Sequence, residues 1–107
     1  MIVGKRGPEC LFALNSTDRQ GQLKLRLEVR PDHVAWLDGL NARGVLKYAR
    51  PYLDEEETPC GSMVVIEAAD LEAARAIAGS DPHARAGLFE TVEIRRWNWV
   101  FNKPQDA

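Results

Sequence analysis

Only two side chains in this 107-residue sequence titrate near neutral pH without a large shift, His33 and His83. His33 falls with Trp36, Leu37 and Leu40 at positions i, i+3, i+4 and i+7, the stripe of an amphipathic helix that turns toward a core. A lone histidine on such a stripe is commonly a core residue, but beside a carboxylate it becomes a base. Asp81, in the break Gly79-Ser80-Asp81-Pro82, is the candidate carboxylate; by itself it reads as a helix cap, since Asp before Pro satisfies free N–H groups. A carboxylate bonded to one imidazole nitrogen sets the tautomer and leaves the other nitrogen free to take a proton. Both helices cover one sheet face, so His33 and Asp81 are expected to meet in a partly buried cleft, within about 2.6–3.2 Å directly or through one water.

Other chemistries find little support. Ser16, Ser62 and Ser80 are available hydroxyls, but none sits in a Gly-x-Ser-x-Gly elbow. No GxGxxG or P-loop is present to cradle a nucleotide, and two histidines with scattered acids fall short of a metal-site signature, so neither cofactor nor metal is expected. Cys10 and Cys60 are too few for a disulfide framework or an iron–sulfur cluster and read as reduced, small apolar side chains. Trp97, Trp99 and Phe101 at the end of a strand are expected to bury against core or partner rather than stack on bases.

Composition narrows the class further. With 45% hydrophobic and 28% charged residues the chain resembles an ordinary globular domain. Fourteen Lys and Arg against sixteen Asp and Glu, with no basic run longer than a pair, argue against nucleic acid as a partner. No apolar run, Met63 to Ile66 included, approaches the roughly 20 residues that cross a bilayer. Residues 1–9 lack the apolar h-region of a signal peptide and are expected to form a loose extension, so the cytoplasm is the expected location. A single domain over 10–102 and a tail over 103–107 complete the expected organisation.

These side chains need a scaffold. Cys10 to Thr17 is short and apolar and predicts a strand. From Leu23 to Val29 apolar and charged residues alternate, a strand pattern, yet the helical stripe begins just after Pro31; residues 31–42 are predicted helical and 23–29 stay open between the two. Val45 to Leu53 predicts a second strand, and Asp54 to Pro59 an acidic, solvated loop closing a hairpin. Met63 to Ile66 is apolar at successive positions, so both faces of that third strand should be covered, one by helices and the other by a second copy of the chain. Asp70 to Ala78 predicts a helix capped by Asp70, residues 83–87 a further helical turn, and Thr91 to Trp97 the last strand. The order β-α-β-β-α-β is the ferredoxin-like α+β arrangement, an antiparallel sheet with two helices on one face.

The residues Leu25-Arg26-Leu27-Glu28-Val29-Arg30-Pro31-Asp32-His33 resemble the R-x3-R-P-x-H segment of YciI-like (YCII-related) proteins. Ser80 to Phe89 resembles their D-P-Y-x-x-A-G-L-F segment, and Thr91 to Trp97 their closing V-E-I-R-P-W strand, so that the resemblance runs from about Leu11 to Phe101. It implies a ferredoxin-like subunit pairing sheet to sheet as a dimeric α/β barrel, with 23–29 helical, and an enzyme whose cleft is lined by the histidine and aspartate at His33 and Asp81. Two positions depart from the pattern: Ala49-Arg50-Pro51 stands where the family has A-G-P, and His83 stands where D-P-Y has tyrosine.

The resulting expectation is a cofactor-independent acid/base enzyme. His33 is the acid/base oriented by Asp81, and Arg26, Arg30 and Arg50 hold an anionic or enolate-like substrate, with Ser62 and His83 as further substrate contacts. A small carbonyl, lactone or aromatic compound undergoing isomerisation or elimination suits such a site. The alternative is a dimeric ligand-binding or accessory module without turnover.

Overall fold

A computed structural model of the protein describes residues 10–104. The expected extension over 1–9 and the last three residues of the tail lie outside the described residues. The elements are β1 (Leu11–Asp18), α1 (Leu23–Ala42), β2 (Leu46–Leu53), β3 (Pro59–Glu67), α2 (Leu71–Gly79), α3 (Pro82–Arg85) and β4 (Phe89–Trp97). The four strands form one antiparallel sheet in the order β2-β3-β1-β4, the α+β arrangement expected from the sequence.

Strand alternation sorts the apolar residues onto two faces. In register, Phe12 opposes Ile66 and Leu14 opposes both Val64 and Ile94. These residues pack with Leu40 of α1 and Ala74 and Ala78 of α2, giving the helix-side core. The intervening positions Leu11, Ala13 and Val65 point to the opposite face and gather Tyr48, Met63, Trp97 and Trp99 around them. Val64, Val65 and Ile66 are thus all buried, and within a single chain Trp97 and Trp99 supply part of the cover over the second face. Val100 and Phe101, immediately beyond, remain exposed.

Helix α1 begins eight residues before its predicted start at Pro31 and runs through that proline. The alternation over 23–29 does not correspond to a strand; Leu, Lys, Arg and Glu are all good helix formers, and their intrinsic preference prevails. Its burial is the reverse of what hydropathy suggests, with Arg26 buried and Leu23 and Leu27 exposed at 40% and 55%. Pro31 cannot donate to the Leu27 carbonyl, so one rung of the helical ladder is missing there. No helix among the described residues is long and apolar enough to cross a membrane.

Short-range chemistry places the joins. Asp70 accepts a 2.8 Å hydrogen bond from Ala73 N–H and caps α2. Asp54 accepts from Glu56 and Thr58 N–H at 2.8 and 3.0 Å, so the first acid of the acidic run folds the hairpin turn while Glu55, Glu56 and Glu57 stay exposed. β3 extends earlier than its apolar run because Gly61 and Ser62 pair with both neighbouring strands. Gly61 is required there: a Cβ would stand 2.3 Å from the Ser16 carbonyl oxygen. Gly61→Ala should therefore force β1 and β3 apart and destabilise the fold by about 1–3 kcal/mol, as overpacking does. Urea denaturation checks this, with a lowered midpoint at an unchanged slope as the expected outcome.

Candidate active site

Arg26, Arg30, His33 and Leu37 share one side of α1 and, with Ala49, Pro51, Ser62 and Val64 from the sheet and His83 from α3, line a cavity of about 230 Å³. An apolar cavity of about 150 Å³ takes a benzene ring. The space therefore suits one substituted ring or a short-chain metabolite.

His33 Nδ1 lies 2.8 Å from Asp81 Oδ1, with both side chains buried. The same Oδ1 accepts from His83 N–H at 2.9 Å, which makes Asp81 the cap of α3 and the partner of His33 at once. A carboxylate can only accept, so neutral His33 donates from Nδ1 and carries its lone pair on Nε2. Trp36 and His83 flank the His33 ring at centroid distances of 5.6 and 4.1 Å, the second nearly parallel at 15°. Trp36 is itself held, its Nε1–H donating to Ser80 Oγ at 2.9 Å and that hydroxyl donating to the Ile77 carbonyl at 2.7 Å.

The other candidates divide. Arg26 lines the cavity but makes a buried two-pronged pair with Asp18, Nε to Oδ2 at 2.6 Å and Nη2 to Oδ1 at 3.0 Å, which offsets most of its charge. Arg30 is exposed, lines the cavity and has no ion pair among the described residues. Arg50 contributes to the lining, yet its register with Met63 aims the side chain at the other sheet face, where the guanidinium lies 5.0 Å from the centre of the Tyr48 ring. Ser62 Oγ is 2.8 Å from Ser16 Oγ, so the two buried hydroxyls satisfy one another beside the cavity. Asp18, Trp36, Ser80 and Ser16 all shape the site; the sequence marked Trp36 by its helical spacing and Ser16 and Ser80 only as available hydroxyls, and offered no signal for Asp18.

His83 is fully buried, and burial lowers its pKa below the ordinary imidazole value, with repulsion between it and His33 when both are protonated and, more weakly, the Arg26 charge acting in the same direction. Asp81 and the Arg26 backbone oppose this without reversing it. The expectation of scattered metal ligands needs amendment, since His33, Asp81 and His83 bring one ligand atom each within 4.8 Å. Even so, nearly parallel rings 4.1 Å apart aim their lone pairs side by side rather than at one ion, and His33 Nδ1 is already engaged by Asp81.

The lowered pKa fixes the sign of a pH effect. Below about pH 6.5 the unfolded chain binds a proton at this residue that the folded chain resists, so stability falls as pH falls through that value. His83→Phe removes the group and keeps the stack; its melting temperature should decline less between pH 7 and pH 5 than that of the unaltered protein, as thermal scans across that range would show.

Comparison with known proteins agrees with this architecture. A YCII-related domain model matches residues 10–98. The protein YciI of Escherichia coli O6:H1 is 36% identical over 97 residues, covering 85% of this chain and 99% of that protein. A Haemophilus influenzae protein is 31% identical over 96 residues, covering 84% and 98%. Among solved structures, 5-chloro-2-hydroxyhydroquinone dehydrochlorinase (TftG) of Burkholderia phenoliruptrix, in complex with 2,5-dihydroxybenzoquinone, superposes with a TM-score of 0.76 at 26% identity, covering 88% of this chain and 99% of that one. A NIPSNAP family protein of Agrobacterium tumefaciens, at 13% identity and a TM-score of 0.56, shares the fold alone. With its family model spanning nearly all the described residues and its relatives matched over almost their whole length, the chain belongs to the YCII-related family.

Proposed function

We propose that this protein is a small-molecule enzyme in which His33 moves a proton and Asp81 orients it, acting without a cofactor. The observation that carries the reading is the 2.8 Å contact between His33 Nδ1 and Asp81 Oδ1 in the wall of a ring-sized cavity. An imidazole so held offers Nε2 as a base toward a carbon acid or hydroxyl and returns the proton to another atom of the same substrate, which is an isomerisation, or loses a leaving group in between, which is an elimination. TftG, with the same fold, is a dehydrochlorinase, and its chemistry belongs to the elimination class. A small carbonyl, lactone or hydroxylated aromatic compound fits the volume, and Arg30 is the cation best placed to hold its negative charge, with Ser62 adding a hydroxyl.

The second sheet face favours a homodimer. Tyr48, Met63, Trp97 and Trp99 form a half-buried apolar surface over Leu11, Ala13 and Val65, with exposed Val100 and Phe101 beside it. A second copy facing it sheet to sheet is the symmetric way to cover that surface.

Two outcomes follow. In deuterated buffer the protein should exchange a carbon-bound proton in at least one member of a panel of small ketones, lactones and polyhydroxylated benzenes, monitored by proton NMR. His33→Gln should slow that exchange by about 10²–10⁴-fold, and Asp81→Asn should slow it too by removing the negative charge that stabilises the imidazolium formed during transfer. Equal rates for the unaltered protein and His33→Gln across the panel would sink the acid/base reading, and a ligand retained and recovered unchanged would mark a binding module instead. Sedimentation at micromolar concentration should give twice the 12.0 kDa chain mass; a single-chain mass contradicts the dimer.

A further inference from the structure

His83 takes no part in the proton transfer just described, yet it is the most deeply buried ionisable group of the site, at 0% exposure. Neither of its ring nitrogens makes a hydrogen bond of good geometry among the described residues, the Arg26 backbone acting on the ring only weakly. A neutral imidazole always carries one N–H and one lone pair, and native proteins rarely leave such groups buried and unpaired. The ring has little freedom to seek a partner elsewhere. Its backbone N–H is tied to Asp81, Pro82 precedes it, its face lies against His33 and Phe89 packs edge-on at 6.0 Å. Beside it lie the Arg26 backbone and the cavity, which it helps to line.

The stack with His33 makes this position informative. Two imidazoles 4.1 Å apart and 15° from parallel border the same space about one ring thickness from each other. We propose that His83 is a ligand-binding residue of this cavity and that the site takes small molecules bearing two oxygens on neighbouring carbons, one oxygen for each imidazole: an α-hydroxy carbonyl, its enediol, or a catechol-type ring. The inference rests on the reading of the cavity as the substrate site. Burial disfavours the charged form of His83, and its neutral ring can donate to a carbonyl oxygen or accept from a hydroxyl. That dual capacity suits a ligand whose oxygens exchange hydroxyl and carbonyl character as a proton moves. His83 itself gains and loses no proton overall; the transfer stays with His33, and Arg30 supplies the positive charge. Both His83 nitrogens are covered as the structure stands, so the contact forms with a small adjustment of the lining, as hydrogen bonds in ligand-free sites commonly tighten on binding.

Catechol and phenol separate the two-oxygen requirement from simple ring binding. In calorimetric titrations the unaltered protein should bind catechol at least about fivefold more tightly than phenol, the equivalent of one hydrogen bond, and His83→Phe should bind both alike while keeping its affinity for phenol. In the unaltered protein, nitrogen-15 NMR should show the His83 ring resonances moving with catechol and staying in place with phenol, a measurement that needs no variant to fold. A catechol preference that survives in His83→Phe overturns the role of His83. No preference in the unaltered protein, or unmoved His83 resonances, overturns the substrate class. Neither result touches the acid/base reading, which the exchange rates of His33→Gln decide separately.

Discussion

One carboxylate oxygen joins the two halves of this molecule. Asp81 Oδ1 accepts from the backbone at the start of α3 and pairs with His33 in the middle of α1, so the helix cap and the candidate base share an atom. The cap orients the carboxylate because its N–H donor is part of the chain, and the carboxylate then orients the imidazole. Around that point the flanking groups are each held in turn: Trp36 through Ser80 to the end of α2, and His83 through Phe89 to the start of β4. Preorganisation of this kind is what acid/base chemistry in a small domain requires, because a ring free to rotate would present either nitrogen to a ligand.

The arrangement entangles folding with chemistry. Removing the Asp81 side chain withdraws a cap and a tautomer anchor together, whereas an amide keeps the shared oxygen for both contacts and removes the negative charge that steadies a protonated imidazole. A similar economy holds at the other end of the cavity, where Asp18 at the end of β1 fixes Arg26 and thereby sets the first turns of α1 against the sheet. Breaking such a buried pair from one side leaves an uncompensated charge and commonly costs about 3–5 kcal/mol.

Much of this was legible in the residues. Period-two and helical patterns located all four strands and α2 to within four residues and the second part of α1, and Asp70 declared itself as a cap. His33 and Asp81 could be nominated because one lay on an inward stripe and the other at a helix break on the same side of the sheet. The start of α1 was not legible from pattern, since hydropathy has no way to express a buried arginine satisfied by a distant aspartate, and Leu23 and Leu27 face outward. The resemblance of 25–33 to family members supplied that part. The stacking of His83 on His33 had no signal either, because it depends on how a one-turn helix is aimed after the Asp81-Pro82 break. Arg50 shows the limit of lining a cleft by residue type: strand alternation turns its guanidinium toward Tyr48 on the far face.

The missing rung at Pro31 divides the cavity wall into two unequal parts. Arg26 and Arg30 precede it, and His33 and Leu37 follow it. A helix bends most cheaply where a proline has removed a backbone bond. The segment that would grip a ligand's charge and the segment that carries the base are therefore joined by a compliant link. Each side of that link has its own anchor, Asp18 for the arginine-bearing turns and Asp81 for the imidazole, so the proline separates two independently clamped parts of one wall.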